Sequence, residues 1–143
     1  MKEGFSEELS KLKRLEKQIL VERHLISREL ASKSQGSAIV LSVDETFCVM
    51  INEEDHLRMQ AILPGLQIKE AWKSMNKMDT MLESKLPIAF SSDFGYLTAC
   101  PTNLGTGIRV SAMLHLPGLV MAEHMQQTIT AVNKLGLAVR GLY

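Results

Sequence analysis

Two short segments of this chain gather side chains with complementary chemistry. One is acidic and ends in a cation, Asn52 Glu53 Glu54 Asp55 His56 Leu57 Arg58; the other runs from a thiol through a turn to a cation, Cys100 Pro101 Thr102 Asn103 Leu104 Gly105 Thr106 Gly107 Ile108 Arg109. Arginine keeps its charge, and its planar fork bonds two oxygens at once, so Arg58, Arg109 and Arg140, drawn from three separate segments, suit phosphate. A carboxylate such as Glu54 accepts two parallel hydrogen bonds from a guanidinium. A cysteine beside a cation gains thiolate character. Each residue also has a plainer reading. The arginines can be rim charges, Asn52 can cap a helix whose dipole the three acids complement, and a free cysteine can be a small buried hydrophobe, which is how we read Cys48 inside its apolar run.

The elements that must hold these residues follow from periodicity. Ser6 as a cap, with apolar residues at Leu9, Leu12, Leu15, Ile19 and Leu20, predicts a helix ending near His24. Ala38–Val43 and Thr46–Ile51 read as a β-hairpin around Asp44 and Glu45. A short helix is expected beside Asp55, interrupted at Pro64 and Gly65, and a long amphipathic helix over about 66–84 carries Ile68, Ala71, Trp72, Met75, Met78 and Leu82 on one stripe. Ile108, Val110, Ala112, Leu114 and Leu116 alternate with polar or larger neighbours and predict a strand ended by Pro117 and Gly118. One helix bearing Met121, Met125, Ile129 and Val132 is expected next, then Gly136 and a last strand over Leu137–Arg140. The order α, ββ, αα, β, α, β describes an α+β domain with helices covering a mainly antiparallel sheet.

Composition limits what such a domain does. A chain of 143 residues, 45% apolar and 22% charged, fits one globular domain. Lys plus Arg equals Asp plus Glu at 16 each, so there is no net field for nucleic acid or an anionic membrane, and an anion site has to come from local clustering. The two cysteines form no metal spacing and no disulfide framework. With no signal core and no long apolar run, the expectation is a cytoplasmic protein that binds a small ligand, with no membrane and no direct nucleic-acid contact.

The Cys100–Arg109 segment resembles the active-site signature of the ATP:guanido phosphotransferases, and Asn52–Arg58 resembles the acidic substrate-binding motif of that family. The resemblance covers about Leu20 to Tyr143. It implies phosphoryl transfer from ATP, with Mg2+ carried mainly through the nucleotide, to a guanidinium; positioning and electrostatics dominate such chemistry. It also implies roles: Glu54 grips the guanidinium, Cys100 orients it without a covalent intermediate, and Arg58, Arg109 and Arg140 cradle the phosphates. Val110, Ser111, Ala112 and Met113 lie beside the nucleotide, and His24 lies near its base or ribose. The closing Val139 Arg140 Gly141 Leu142 Tyr143 and the compact spacing from His24 to the hairpin are most similar to the bacterial protein-arginine kinases, which act on arginine side chains within proteins, rather than to the phosphagen kinases, which act on free arginine or creatine. Clp-type proteolysis and stress-response repressors are the partners this subfamily implies. Full-length relatives carry an arginine-rich nucleotide motif upstream and a second acidic segment beyond the position of Tyr143, so residues 1–143 are expected to be an incomplete guanido kinase catalytic domain, weakly active or inactive alone. A phosphagen kinase acting on free arginine, a non-catalytic nucleotide-binding or regulatory module and a purely structural fragment remain the alternatives.

Overall fold

The computed structural model describes residues 4–140, which divide into two compact units at Val110 and Ser111. Gly141, Leu142 and Tyr143, part of the subfamily resemblance, lie outside the described residues. The first unit is built on a four-stranded antiparallel sheet in chain order: β1 (Phe5–Glu8), β2 (Ala38–Leu41), β3 (Phe47–Ile51) and β4 (Leu57–Ala61). Between β1 and β2 lie two helices, α1 (Arg14–Glu22) and α2 (Arg28–Ser32). Alternation decides the core face: Ile39 and Leu41 of β2 and Cys48 and Met50 of β3 are buried with Leu9, Leu25, Ile26 and Leu30, while Leu12, Leu20, Val21 and Ala31 from the helical layer pack against them. The fold is α+β, as its residues predict.

The expected helix from Ser6 begins only at Arg14. Ser6 is instead opposite Val40 in β1, where pairing along the free edge of β2 satisfies four residues of backbone at once. The short helix expected beside Asp55 is also absent: Asn52–His56 is the turn of the β3–β4 hairpin, closed by the Asn52 amide donating to the His56 carbonyl at 2.9 Å. Leu57, Met59 and Ala61 alternate with Arg58 and Gln60, a period of two that overrides the helical reading. Because Arg58 stands opposite Met50 and Gln60 opposite Cys48, these two polar residues share the core face of the sheet at its edge.

The long helix α3 (Ile68–Glu83) forms as expected and packs along β4, with Ala71, Met75, Met78 and Leu82 half-buried and Trp72 exposed. A small hairpin follows, β5 (Phe90–Ser91) with β6 (Gly95–Tyr96), closed by an edge-to-face contact of Phe90 and Tyr96 at 5.3 Å. The Tyr96 hydroxyl donates to Glu83 of α3, and Tyr96 forms a bridge with Gly105. A Cβ on Gly95, whose φ is +77°, would come within 2.6 Å of the Gly105 carbonyl oxygen, so glycine is required for this close approach.

Residues 107–116 form no strand. Their alternating apolar side chains are exposed, and no described residue offers them a ladder partner, which alternation alone cannot supply. In the second unit the single expected helix is two, α4 (Pro117–Met121) and α5 (Met125–Lys134), separated by Glu123 in the left-handed region at φ 58°. The Glu123 and His124 amides donate back to the Val120 and Leu119 carbonyls, ending α4 before α5 starts. Residues 137–140 have no regular structure, in place of the expected last strand.

Candidate active site

The acidic segment is fixed from below by its own hairpin and from the side by residues 33–37. Asn52 adopts φ 54°, its side-chain amide donates to the Gly36 carbonyl at 2.6 Å, and its carbonyl accepts from Lys33 Nζ at 2.9 Å and Ser37 Oγ at 3.2 Å. Lys33 Nζ also donates to the Glu53 carbonyl. Asn52 therefore starts a tied turn rather than a helix, and the cap reading of the acidic trio does not hold. Within the turn the three carboxylates have three different environments.

Glu53 points inward and is buried. Its carboxylate accepts from the Glu54 backbone N–H at 2.7 Å and from Arg58 Nη1 at 3.1 Å, and it bonds the Ser27 hydroxyl at the start of α2. Burial pushes its pKa up, but the Ser27, Glu54 and Arg58 interactions together prevail and hold it below the usual carboxylate value. Glu53 thus fixes the guanidinium of Arg58 while leaving that side chain about a third exposed, at 37%. Glu54 is exposed, with its Oε2 3.3 Å from the side-chain amide of Asn103. Asp55 reaches across to the thiol segment: Oδ1 accepts from the Cys100 backbone N–H at 2.9 Å and Oδ2 from Asn103 Nδ2 at 2.7 Å. Burial raises the pKa of Asp55, and the bonds from Cys100, Asn103 and the Ala99 N–H, with the nearby His56, more than reverse this.

Cys100 sits at the start of a 3-10 turn over Pro101–Asn103 rather than at a strand end. Its carbonyl accepts from the Asn103 N–H at 3.0 Å and from the Thr98 hydroxyl at 2.6 Å, and its Sγ lies 3.0 Å from Thr102 Oγ1. The far end of the loop is held by the reciprocal Tyr96 and Gly105 backbone bonds. The close approach here is of the Gly105 backbone to Gly95, and it is Gly95 that makes room for it. Between the two loops lies a depression of about 180 Å³ lined by the acidic turn, Lys33 and Ala99. Glu54 lines this shallow depression and is exposed, and a carboxylate so placed suits a planar cation.

The remaining expected residues are placed as follows. His24 occupies the position after the α1 cap at φ 58°; its amide donates to the Val21 carbonyl and that of Leu25 to Leu20, the pattern that closes a helix. Gln60 donates to both the His24 and Leu25 carbonyls at 2.8 and 2.9 Å, tying this end to β4 two residues beyond Arg58. Arg109 and Val110 close the first unit as exposed chain, and Arg109 pairs with no described residue. Ser111, Ala112, Met113 and Arg140 are exposed chain in the second unit. Sequence reasoning missed Glu53, Asp55, Asn103 and Gln60 as positioning groups. The alternation of Arg58 and Gln60 with apolar neighbours was the signal for one of them; nothing in the sequence announces the cross-loop bonds of Asp55.

Residues 2–143 match the ATP:guanido phosphotransferase, C-terminal catalytic domain. The chain belongs to this family. It is 57% identical over 135 residues to a protein-arginine kinase of Pelotomaculum thermopropionicum and 51% identical over 135 residues to one of Desulforamulus reducens, in each case across 94% of this chain and 38% of the relative. The chain therefore spans a little over a third of the length of these relatives. Among solved structures, it resembles the duplicated taurocyamine kinase of Schistosoma mansoni with bound transition state analog components, at TM-score 0.82 and 29% identity over 98% of this chain and 21% of that one. Lombricine kinase matches at TM-score 0.67 and 25% identity over 91% of this chain and 40% of that one. Both likenesses agree with the antiparallel α+β fold of this guanido phosphotransferase chain. No helix among its described residues is long and apolar enough to cross a membrane.

Proposed function

We propose that this chain forms part of the catalytic domain of an enzyme that transfers the γ-phosphoryl group of Mg-ATP to arginine side chains in proteins. The observation that carries the proposal is the docking of the acidic turn onto the Cys100 loop through Asp55 and Asn103, which leaves the Glu54 carboxylate exposed in a depression lined by that turn and by Ala99, the residue before Cys100. Glu54 pairs with the incoming guanidinium and directs its nitrogen toward phosphorus. The Cys100 sulfur contacts the same planar group from a second direction. Arg58, oriented by Glu53, and Arg109, Arg140 and the Val110–Met113 stretch neutralise and align the phosphates; His24 lies toward the nucleoside. Mg2+ would arrive on the nucleotide and neutralise phosphate charge there.

Protein arginine is favoured over a free guanidino compound by the 57% and 51% identities to protein-arginine kinases, against 29% and 25% to the taurocyamine and lombricine enzymes. The setting of such an enzyme is the cytoplasm, where stress-response repressors and the substrates of Clp-type proteases supply exposed arginines. Thermal shift tests the site assignment. Mg-ATP and an arginine-rich unfolded polypeptide should each raise the melting temperature, as a ligand bound only to the folded state must. Glu54→Gln should abolish the polypeptide response and keep the nucleotide response, and Arg109→Ala should do the reverse. Equal responses in all three proteins would overturn the assignment.

A further inference from the structure

Asp55 and Cys100 are 45 residues apart in sequence, and hydrogen bonds through Asp55 and Asn103 close that gap. The Cys100 N–H donates to Asp55 Oδ1 at 2.9 Å, Asn103 Nδ2 to Asp55 Oδ2 at 2.7 Å, and the same Asn103 amide reaches Glu54 Oε2 at 3.3 Å, beside a further bond from the Ala99 N–H to Asp55. An ionised carboxylate that accepts from the Ala99 and Cys100 amides and from a side-chain amide holds a loop more firmly than neutral pairs do. Asp55 itself is half-buried, and both of its oxygens are engaged by protein donors, Oδ1 by the Cys100 N–H and Oδ2 by Asn103 Nδ2. Asn103 is the hinge between the two acids, since its two amide protons serve Asp55 and Glu54 together.

The geometry points to Asp55 and Asn103 as positioning residues for guanidinium transfer: Asp55 clamps the Cys100 loop onto the acidic turn, and Asn103 passes that constraint to the Glu54 carboxylate. The assignment rests on the guanidinium-transfer reading of Glu54 and Cys100, but the clamp has a readout of its own. Cys100 is half-buried, whereas Cys48 is buried in the sheet and its thiol is pushed up to about 12 by burial, so alkylation reports the loop while Cys48 reports the fold.

The experiment is the rate of iodoacetamide modification at each cysteine in the 143-residue chain, for the wild type, Asp55→Asn, Asn103→Ala and the double variant. The amide that replaces the Asp55 carboxylate turns its NH2 toward either the loop amides or the Asn103 amide, so one donor loses its acceptor. Loss of a charge-assisted bond should raise Cys100 modification roughly tenfold, with Cys48 still protected. Asn103→Ala changes no charge and should raise it about threefold, which separates loosening of the loop from a change in the field at the thiol. The double variant should react no faster than Asp55→Asn, because the two residues act through one contact. Rates within about twofold of wild type in Asp55→Asn, or a double variant equal to the product of the singles, overturn the clamp. Should Asp55→Asn expose Cys48, Asn103→Ala decides alone. Phosphoarginine formation, measured with the same substitutions in the full-length enzyme that contains this chain, should fall in kcat with KM for Mg-ATP unchanged. Predicted alkylation without any transfer by the full-length wild type would retain the clamp and remove the kinase reading; full-length wild-type transfer with unchanged alkylation would do the opposite.

Discussion

Replacing Glu53 by glutamine tests the buried half of the acidic turn. The Glu53 side chain is 4% exposed and accepts bonds from Arg58, the Glu54 N–H and the Ser27 hydroxyl. Glutamine keeps the shape and one neutral acceptor, and it removes the charge that holds Arg58. Hydrogen bonds to a charged group contribute roughly 1.5–3 kcal/mol and neutral ones about half as much. Loss of one partner of a fully buried pair costs roughly 3–5 kcal/mol, but Arg58 is exposed enough to regain water, so the expected loss is lower, about 2 kcal/mol. For a chain of this size that is a fall of about 4–8 °C in melting temperature at neutral pH. The pH dependence has a definite sign. The folded pKa of Glu53 is depressed, so its contribution is complete above the ordinary value of 4.5 and is lost as the pH falls through the lower folded value. Wild type and Glu53→Gln should therefore converge as the pH falls through that lowered value. Differential scanning calorimetry across this range, with the exposed Glu22→Gln as control, is the assay. A difference below about 1 °C at pH 7, or one that does not narrow as the pH falls, would refute the reasoning.

Three further outcomes are expected. His24→Gly relieves a left-handed residue at the end of α1 and should stabilise the chain by roughly 0.5–1 kcal/mol, read in urea, while weakening Mg-ATP if the imidazole faces the nucleoside. Gly95→Ala forces a Cβ to within 2.8 Å of three Gly105 backbone atoms and should cost at least about 2 kcal/mol and speed Cys100 alkylation by freeing the far end of its loop. Glu54→Gln, on an exposed side chain, should leave urea stability within about 0.5 kcal/mol of wild type, so that any loss of transfer is chemical rather than structural.

The sequence revealed the β2–β3 hairpin and α3 because their periods are strong and their partners lie close by. It concealed β1, whose Phe5–Glu8 segment resembles the first turn of a helix and becomes a strand only because β2 presents an edge. It also placed Asp55 beside a helix, since a cluster of Asn and acids complements a helix start as well as it fills a tight turn. The segment over 108–116 shows the opposite failure: alternation was read correctly as a pattern, yet a strand is a property of two chains, and none of the described residues pairs with this one. At the candidate site the residue types were legible from their motifs. The bonds that connect Glu54 to Cys100 were not, because Asp55 and Asn103 meet through tertiary structure across 48 residues.

The deciding measurement is mass spectrometry for acid-labile phosphoarginine after incubating the full-length enzyme that contains this chain with Mg-ATP and an arginine-rich unfolded protein, with free arginine and Glu54→Gln in parallel. Phosphate is expected on arginines of the protein, little on free arginine, and none with Glu54→Gln. No phosphoarginine from the full-length wild type, or equal amounts from the variant, would contradict the proposed function.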